Sequence, residues 1–275
     1  MEHSYRDGGR VPWVDPSSSL VVSELCARMG VGPDLVARAM TEAWEHLGRA
    51  PGEGWVRRQG AVLAAVTMVP VAELNGVLVD RVNADLSDVE SLLDGVAATG
   101  LPYFLQARPG CGRSLGAMAS ERGMLQGVAQ PLMVLEAAED LDDTQPGGLR
   151  VRTLAPEEVA AAGFEAPDEY FRQLMTPDTL RLTGMRCYVG EVDGRAVTTG
   201  FGLTIGDFVG IFNVATPPPE RRRGYGAAIT ARAVREGLAG GARCAWLQSS
   251  QSGLSVYERL GFRTVEAWPQ WLAAG

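Results

Sequence analysis

The same order of local patterns runs through this sequence twice, and any fold has to accommodate both runs. In the second, strands at 186–192, 196–205 and 208–215, the first two joined by a hairpin turn at Asp193-Gly194, precede Pro217-Pro218-Pro219. A glycine-rich turn and a helix at 226–239 come next, then a strand at 245–248 and a helix closed by Leu260-Gly261, where the glycine suits a left-handed cap. A last strand covers 263–271. In the first run a strand at 55–58, a turn at Gln59-Gly60, strands at 61–69 and 75–82, a helix at 85–97, a strand at 102–107 and a helix ending at Arg122-Gly123 follow in the same sequence. From first strand to closing glycine each run takes roughly 70 residues, the length of one small domain, so the spacing implies a tandem duplication.

Between the runs lies 137–148, an acidic, turn-rich stretch with no apolar periodicity, which reads as a linker. The expected division is a first domain at 1–136, the linker, and a second domain at 149–275. With 275 residues, 46% hydrophobic, the chain is long enough to build two cores. The longest apolar stretch, 61–69, stops at Pro70 well short of a bilayer span, and no basic-then-apolar signal pattern opens the chain, so the expected location is the cytoplasm. A net charge of -8 disfavours nucleic acid and anionic membranes as partners; it is compatible with cationic substrates and equally with ordinary solubility.

Four separated cysteines, Cys26, Cys111, Cys187 and Cys244, form no CxxC pair, and only His3 and His46 are present. Neither a metal site nor a Ser/His hydrolase is expected. The segment that carries chemistry is Glu220-Arg221-Arg222-Arg223-Gly224-Tyr225-Gly226 between a strand and a helix. Such a turn can aim several backbone N–H groups at one point near a positive helix end, with glycine allowing close approach, and guanidinium forks match phosphate oxygens. It suits a pyrophosphate; by itself it is also compatible with a solvated basic cluster.

Taken in order, Asn213-Val214-Ala215-Thr216, the Arg221–Gly226 turn, and Val256-Tyr257-Glu258-Arg259-Leu260-Gly261-Phe262 resemble the signature of the GCN5-related N-acetyltransferase (GNAT) family. The resemblance covers 149–271 and implies an α/β fold of mixed, mostly antiparallel splayed sheets flanked by helices, in tandem form. It implies acetyl-CoA as acyl donor and no metal. The backbone around Val214, Ala215 and Thr216 would bond the pantetheine arm, and Arg221, Arg222, Arg223, Gly224, Tyr225, Gly226 and Ala227 would hold the pyrophosphate. Tyr257 would protonate the departing thiolate, its alternative being a ring packed against the sheet.

Departures from the family pattern are visible too. Ala245 stands where some relatives carry a basic glutamate, and Ser250 replaces an asparagine as a cofactor contact. Asp168, Glu169, Glu191 and Asp207 could neighbour the amine, but equally read as surface charge. In the first half only Asn83-Ala84 fills the matching turn and Ala119 stands in the place of Tyr257, which implies a degenerate copy without a cofactor site. Arg108, Cys111 and Arg113 read as a loop compatible with ligand contact, and Trp268-Pro269-Gln270-Trp271 as a flap over the acceptor cleft or an ordinary edge strand. Trp13, Trp44, Trp55 and Trp246 read as packing residues.

The expected activity is acetyl transfer from acetyl-CoA to a primary amine of a small molecule by direct attack. The alternative is a non-catalytic acyl-CoA sensor, favoured by the missing glutamate and opposed by Tyr257. Two halves able to satisfy each other favour a monomer over a homodimer.

Overall fold

The computed structural model describes residues 31–49, 53–136, 141–142, 144–155, 174 and 176–274. Thirteen strands form two sheets among these residues. The first sheet takes β1 (Trp55–Gln59), β2 (Val62–Val66), β3 (Asn75–Val79), β4 (Tyr103–Ala107) and β5 (Leu125–Gln126); the second takes β7 (Arg150–Leu154), β8 (Met185–Val192), β9 (Arg195–Ile205), β10 (Phe208–Ala215), β11 (Cys244–Gln248) and β12 (Arg263–Trp268). Two strands remain, β6 (Gln130–Leu135) and β13 (Gln270–Ala273), and each joins the sheet of the other half.

This exchange is reciprocal. β6 inserts antiparallel between β11 and β12, with Leu132 opposite Gln248 and Val134 opposite Arg263. β13 inserts antiparallel between β4 and β5, with Gln270 opposite Gln106 and Trp271 opposite Gln126. The first sheet runs β1-β2-β3-β4-β13-β5 and the second β12-β6-β11-β10-β9-β8-β7, so with the last strand of each half traded the two orders match except for β7, which has no counterpart in the first sheet. The sequence suggested one strand at 263–271; it is two, broken at Pro269, which has no N–H for a ladder and whose carbonyl accepts from Ala107 N–H at 3.0 Å. The tryptophans on either side of that proline are buried, Trp268 completely at the end of β12, an edge strand of the second sheet, and the segment crosses from there into the first sheet.

Helix α1 (Pro33–Arg49), which follows none of the repeated patterns, lies between the sheets. Proline opens it, where the missing N–H costs nothing, and Val36, Met40 and Ala43 give it an apolar stripe. That stripe packs with Leu63 and Leu78 of the first sheet and with Val134, Phe201, Leu203 and Trp246 of the second in one core. Strand alternation sends Val62, Ala64 and Val66 to the opposite face, under α2 (Leu86–Ala97) and α3 (Gly112–Glu121). On the outer face of the second sheet Met133, Val209 and Ile211 pack with α5 (Tyr225–Ala239) and α6 (Leu254–Arg259); a short α4 (Pro177–Arg181) precedes β8. Thr176 caps α4 by accepting from Thr179 N–H, and Asp85 caps α2 through Ser87 N–H. No described helix is long and apolar enough to cross a membrane.

Charged pairs clamp the crossing. Arg108 binds Glu266 through Nε and Nη2 (2.9 and 2.7 Å) and Asp34 at 2.6 Å, while Trp268 Nε1 donates to Glu266 at 2.9 Å. The Glu266 carboxylate and the Asp34 charge hold the Arg108 guanidinium above its ordinary range, against the opposing effect of its burial. Arg108 therefore braces the two halves and is not free for a ligand; Arg263 pairs with Glu136 across the same boundary. Because each sheet depends on a strand from the other half, the chain is expected to unfold in one calorimetric transition, and Trp271→Ala is expected to cost about 3–5 kcal/mol for the whole molecule. Two separate transitions, with only one shifted by that substitution, would contradict it.

Candidate active site

The cleft begins where a strand pair comes apart. β10 and β11 run parallel with Phe208, Val209 and Gly210 opposite Cys244, Ala245 and Trp246, and pairing stops there although β10 continues to Ala215 and β11 to Gln248. An aromatic pair stands at the parting: Phe212 meets Trp246 edge to face, centroids 5.1 Å apart. Gly210 makes room for it, since a Cβ there would lie 2.7 Å from both rings. Beyond this wedge a bulge between Phe212 and Ala215 re-aims β10, with Asn213 in the left-handed region at φ 48°. Val214, Ala215 and Thr216 thus follow an unpaired strand edge, half-buried, although the Ala215 carbonyl already accepts from the Thr198 hydroxyl at 3.1 Å.

In the first half the matching strands stay zipped. β3 and β4 pair from Gly76–Phe104 to Val79–Ala107, and Arg108 N–H then donates to the Val79 carbonyl at 2.9 Å. The helix ends nevertheless match closely: Phe262 N–H bonds the Tyr257 carbonyl as Met124 N–H bonds that of Ala119, with Gly261 and Gly123 both at positive φ.

The arginine turn is built on a buried carboxylate. Pro217–Pro219 lead into a single 3-10 turn (Pro218–Glu220), and Glu220, 6% exposed, receives Arg195 at 2.6 Å and Arg223 at 3.1 Å. Arg221 Nε donates to the Thr216 carbonyl at 2.9 Å. Two of the three arginines therefore brace the loop. Arg222 is exposed, makes no ion pair to a described residue, and sits at φ 65°, a conformation that costs a non-glycine residue about 1 kcal/mol or more. Gly224, at φ 81°, is the N-cap of α5, and the first helical bond runs from Ala228 N–H to its carbonyl. The N–H groups of Tyr225, Gly226 and Ala227 precede that bond and have no partner within the helix. Tyr225 turns its ring into a core with Leu149 and Val197, so only its backbone can serve a ligand. These features fit a diphosphate: open N–H donors, a positive helix end and one uncommitted guanidinium.

Tyr257, half-buried on α6, faces a cavity of about 250 Å³ with Val214, Ser250 and Gln248. Burial pushes its phenol up to about 12, so the hydroxyl keeps its proton at neutral and mildly alkaline pH. Ser250 sits at the same mouth with its Oγ accepting from Gly253 N–H at 3.2 Å. Two of the carboxylates considered from sequence are paired elsewhere, Glu191 with Arg152 and Asp207 with Arg243; Asp168 and Glu169 lie outside the described residues. Ala245 is fully buried in β11. Cys111 lines a separate small pocket in the first half, and the Arg113 side chain is outside the described residues. No group of His, Cys, Asp or Glu among the described residues could hold a metal.

Six residues of the cavity wall come from α1, the first half and the exchanged strands: Trp44, which the sequence read as packing, Gln270, in the segment read as a flap or edge strand, and Glu73, Phe104, Gln106 and Gln130, which the sequence pattern did not single out. Gln106 and Gln248 hold corresponding places in β4 and β11, each after an aromatic-leucine pair, and they meet across the boundary, Gln248 Nε2 donating to Gln106 Oε1 at 3.1 Å.

Residues 151–262, about two-fifths of the chain, match the model of the acetyltransferase (GNAT) family. Among solved structures, a GCN5-related N-acetyltransferase from Kribbella flavida superposes with a TM-score of 0.62 at 22% identity, over 90% of this chain and 97% of that one. A GCN5-related N-acetyltransferase-like protein from Streptococcus suis gives 0.57 at 13% identity over 88% and 100%. A tandem GNAT protein from the clavulanic acid biosynthesis pathway gives 0.50 at 14% over 88% and 96%. At these identities the likeness is one of fold, and it extends through both halves. No curated protein matches the chain.

The raised phenol carries a stability signature. Above about pH 10 an unfolded tyrosine ionises while Tyr257 does not, so the native state loses this contribution between about pH 10 and about 12. Comparing denaturation midpoints, Tyr257→Phe is expected to gain on the parent chain between pH 9 and pH 11; parallel curves would contradict the burial of an un-ionised hydroxyl.

Proposed function

We propose that this protein transfers the acetyl group of acetyl-CoA to a primary amine of a small molecule by direct attack, at a single site in the second half. The observation that carries this reading is the opening of β10 from β11 beyond Gly210, with the arginine turn at one end and Tyr257 at the other. The first half, whose corresponding strands remain bonded and whose turn at 80–85 carries one arginine, Arg81, and no glycine, serves as a copy without a cofactor site that walls the acceptor cavity.

Each group then has a task. The free edge at Val214 to Thr216 supports the pantetheine arm, while Arg222 and the N–H groups of Tyr225, Gly226 and Ala227 hold the diphosphate. Acetyl-CoA supplies the thioester carbonyl that the neutral amine attacks. A C–N bond forms there and the C–S bond breaks. The proton on nitrogen leaves to solvent, since Ala245 offers no base, and the Tyr257 hydroxyl gives its proton to the sulfur and is restored from solvent. Holding amine and thioester together supplies much of the rate, which is why one side-chain acid suffices. Satisfied sheet interiors within one chain favour a monomer.

With thiol release as the readout, Tyr257→Phe is expected to lower kcat by roughly a hundredfold while the acetyl-CoA dissociation constant stays within about twofold. An unchanged kcat would remove Tyr257 from proton transfer.

A further inference from the structure

The cavity between the halves has a composition that discriminates among amines, and this inference rests on the acetyltransferase reading above. Besides Tyr257, four aromatic rings, Trp44, Phe104, Phe212 and Trp246, and four glutamines, Gln106, Gln130, Gln248 and Gln270, line it. Among the described residues one carboxylate does: Glu73, exposed on a short 3-10 turn (Ala72–Leu74) of the first half. Gln106 and Gln270 are over nine-tenths buried and line the cavity beside Gln130 and Gln248, with one bond, Gln248 to Gln106, joining the two halves across it.

We propose that the acceptor is a monoamine bearing a neutral hydrogen-bonding group such as a carboxamide, and that Glu73 is its ammonium-binding residue. A polycation in this space would bring several charges to one carboxylate and leave the rest desolvated against rings and amides, a cost that uncompensated charge does not recover. A neutral amide group, by contrast, finds donors and acceptors on the glutamines and flat apolar surface on the rings. The volume, about 250 Å³, lies below the roughly 300–1,000 Å³ of drug-sized pockets, which also excludes a whole aminoglycoside. Glu73 collects the ammonium from solvent at the mouth; the amine reaches the thioester after losing that proton. Substrate selection thus belongs to the half that lacks the cofactor turn.

The test uses the full chain, acetyl-CoA and a fixed panel: phenylalaninamide and leucinamide as monoamines with a neutral amide, spermidine and kanamycin as polycations. The amino-acid amides are expected to show the highest kcat/KM. Glu73→Gln is expected to raise their KM by about tenfold with kcat changed less than about threefold, and Gln130→Glu, which adds a second carboxylate at a half-buried wall position, is expected to move preference toward spermidine. Preference for the polycations, an unmoved KM in Glu73→Gln, or no turnover of the amides by a chain that binds acetyl-CoA in calorimetry would each overturn the proposed acceptor class alone. A chain that does not bind acetyl-CoA would instead remove the reading beneath it.

Discussion

The exchange of final strands between the halves is the constraint on which the rest of the structure depends. β6 supplies the second sheet with the strand between β11 and β12, and β13 returns the favour between β4 and β5. Neither sheet is complete without the other half, because a gap at either position would leave two rows of backbone N–H and C=O groups unpaired in a core. The exchange also fixes the sheets face to face, with α1 and the completely buried Trp268 between them. It brings Gln106 and Gln248 together and carries Gln130 and Gln270 to the cavity wall.

Function divides unevenly over this near-symmetric frame, and small local differences account for it. β3 stops at Val79, so its partner strand stays bonded to the end; β10 runs on to Ala215, and Phe212 against Trp246 props it away from β11. In the turn that follows, Glu220 organises the arginines. It ties down Arg223 directly, and a buried carboxylate flanked by two guanidiniums is stable only as a set, since removing a partner strands the other charge. The loop's geometry is thereby held by the chain itself, and Arg222 and three helix-start N–H groups are the ones proposed to meet the diphosphate. On the proposed reading the acetyl transfer takes place in this half, and the cavity wall from the other half selects the acceptor.

The repeat, the hairpins, the arginine turn and Tyr257 were legible because local rules write them: alternation, turn residues, glycine where φ is positive. Matched carbonyl bonds at Tyr257 and Ala119 agree with the correspondence read from sequence. The exchange was not legible, since Gln130–Leu135 and Gln270–Ala273 carry ordinary strand signals that say nothing about which sheet they join. Pro269 was the available clue, a residue without an N–H in the middle of an apparent strand. The acceptor wall escaped for the same reason: Gln106 is one polar residue in the apolar run Tyr103–Ala107, meaningful only once a second sheet lies opposite. The number of arginines overstated the free charge, because hydrogen bonds to Glu220 and the Thr216 carbonyl depend on folded geometry.

The central claim is that one cofactor cleft serves two halves of like fold. Calorimetric titration of the full chain with acetyl-CoA tests it most directly, alongside a chain in which Arg222 is replaced by glutamate. One binding event per chain, weakened about tenfold or more by the substitution, is the expected result. Two events per chain, or a single event indifferent to Arg222→Glu, would contradict it.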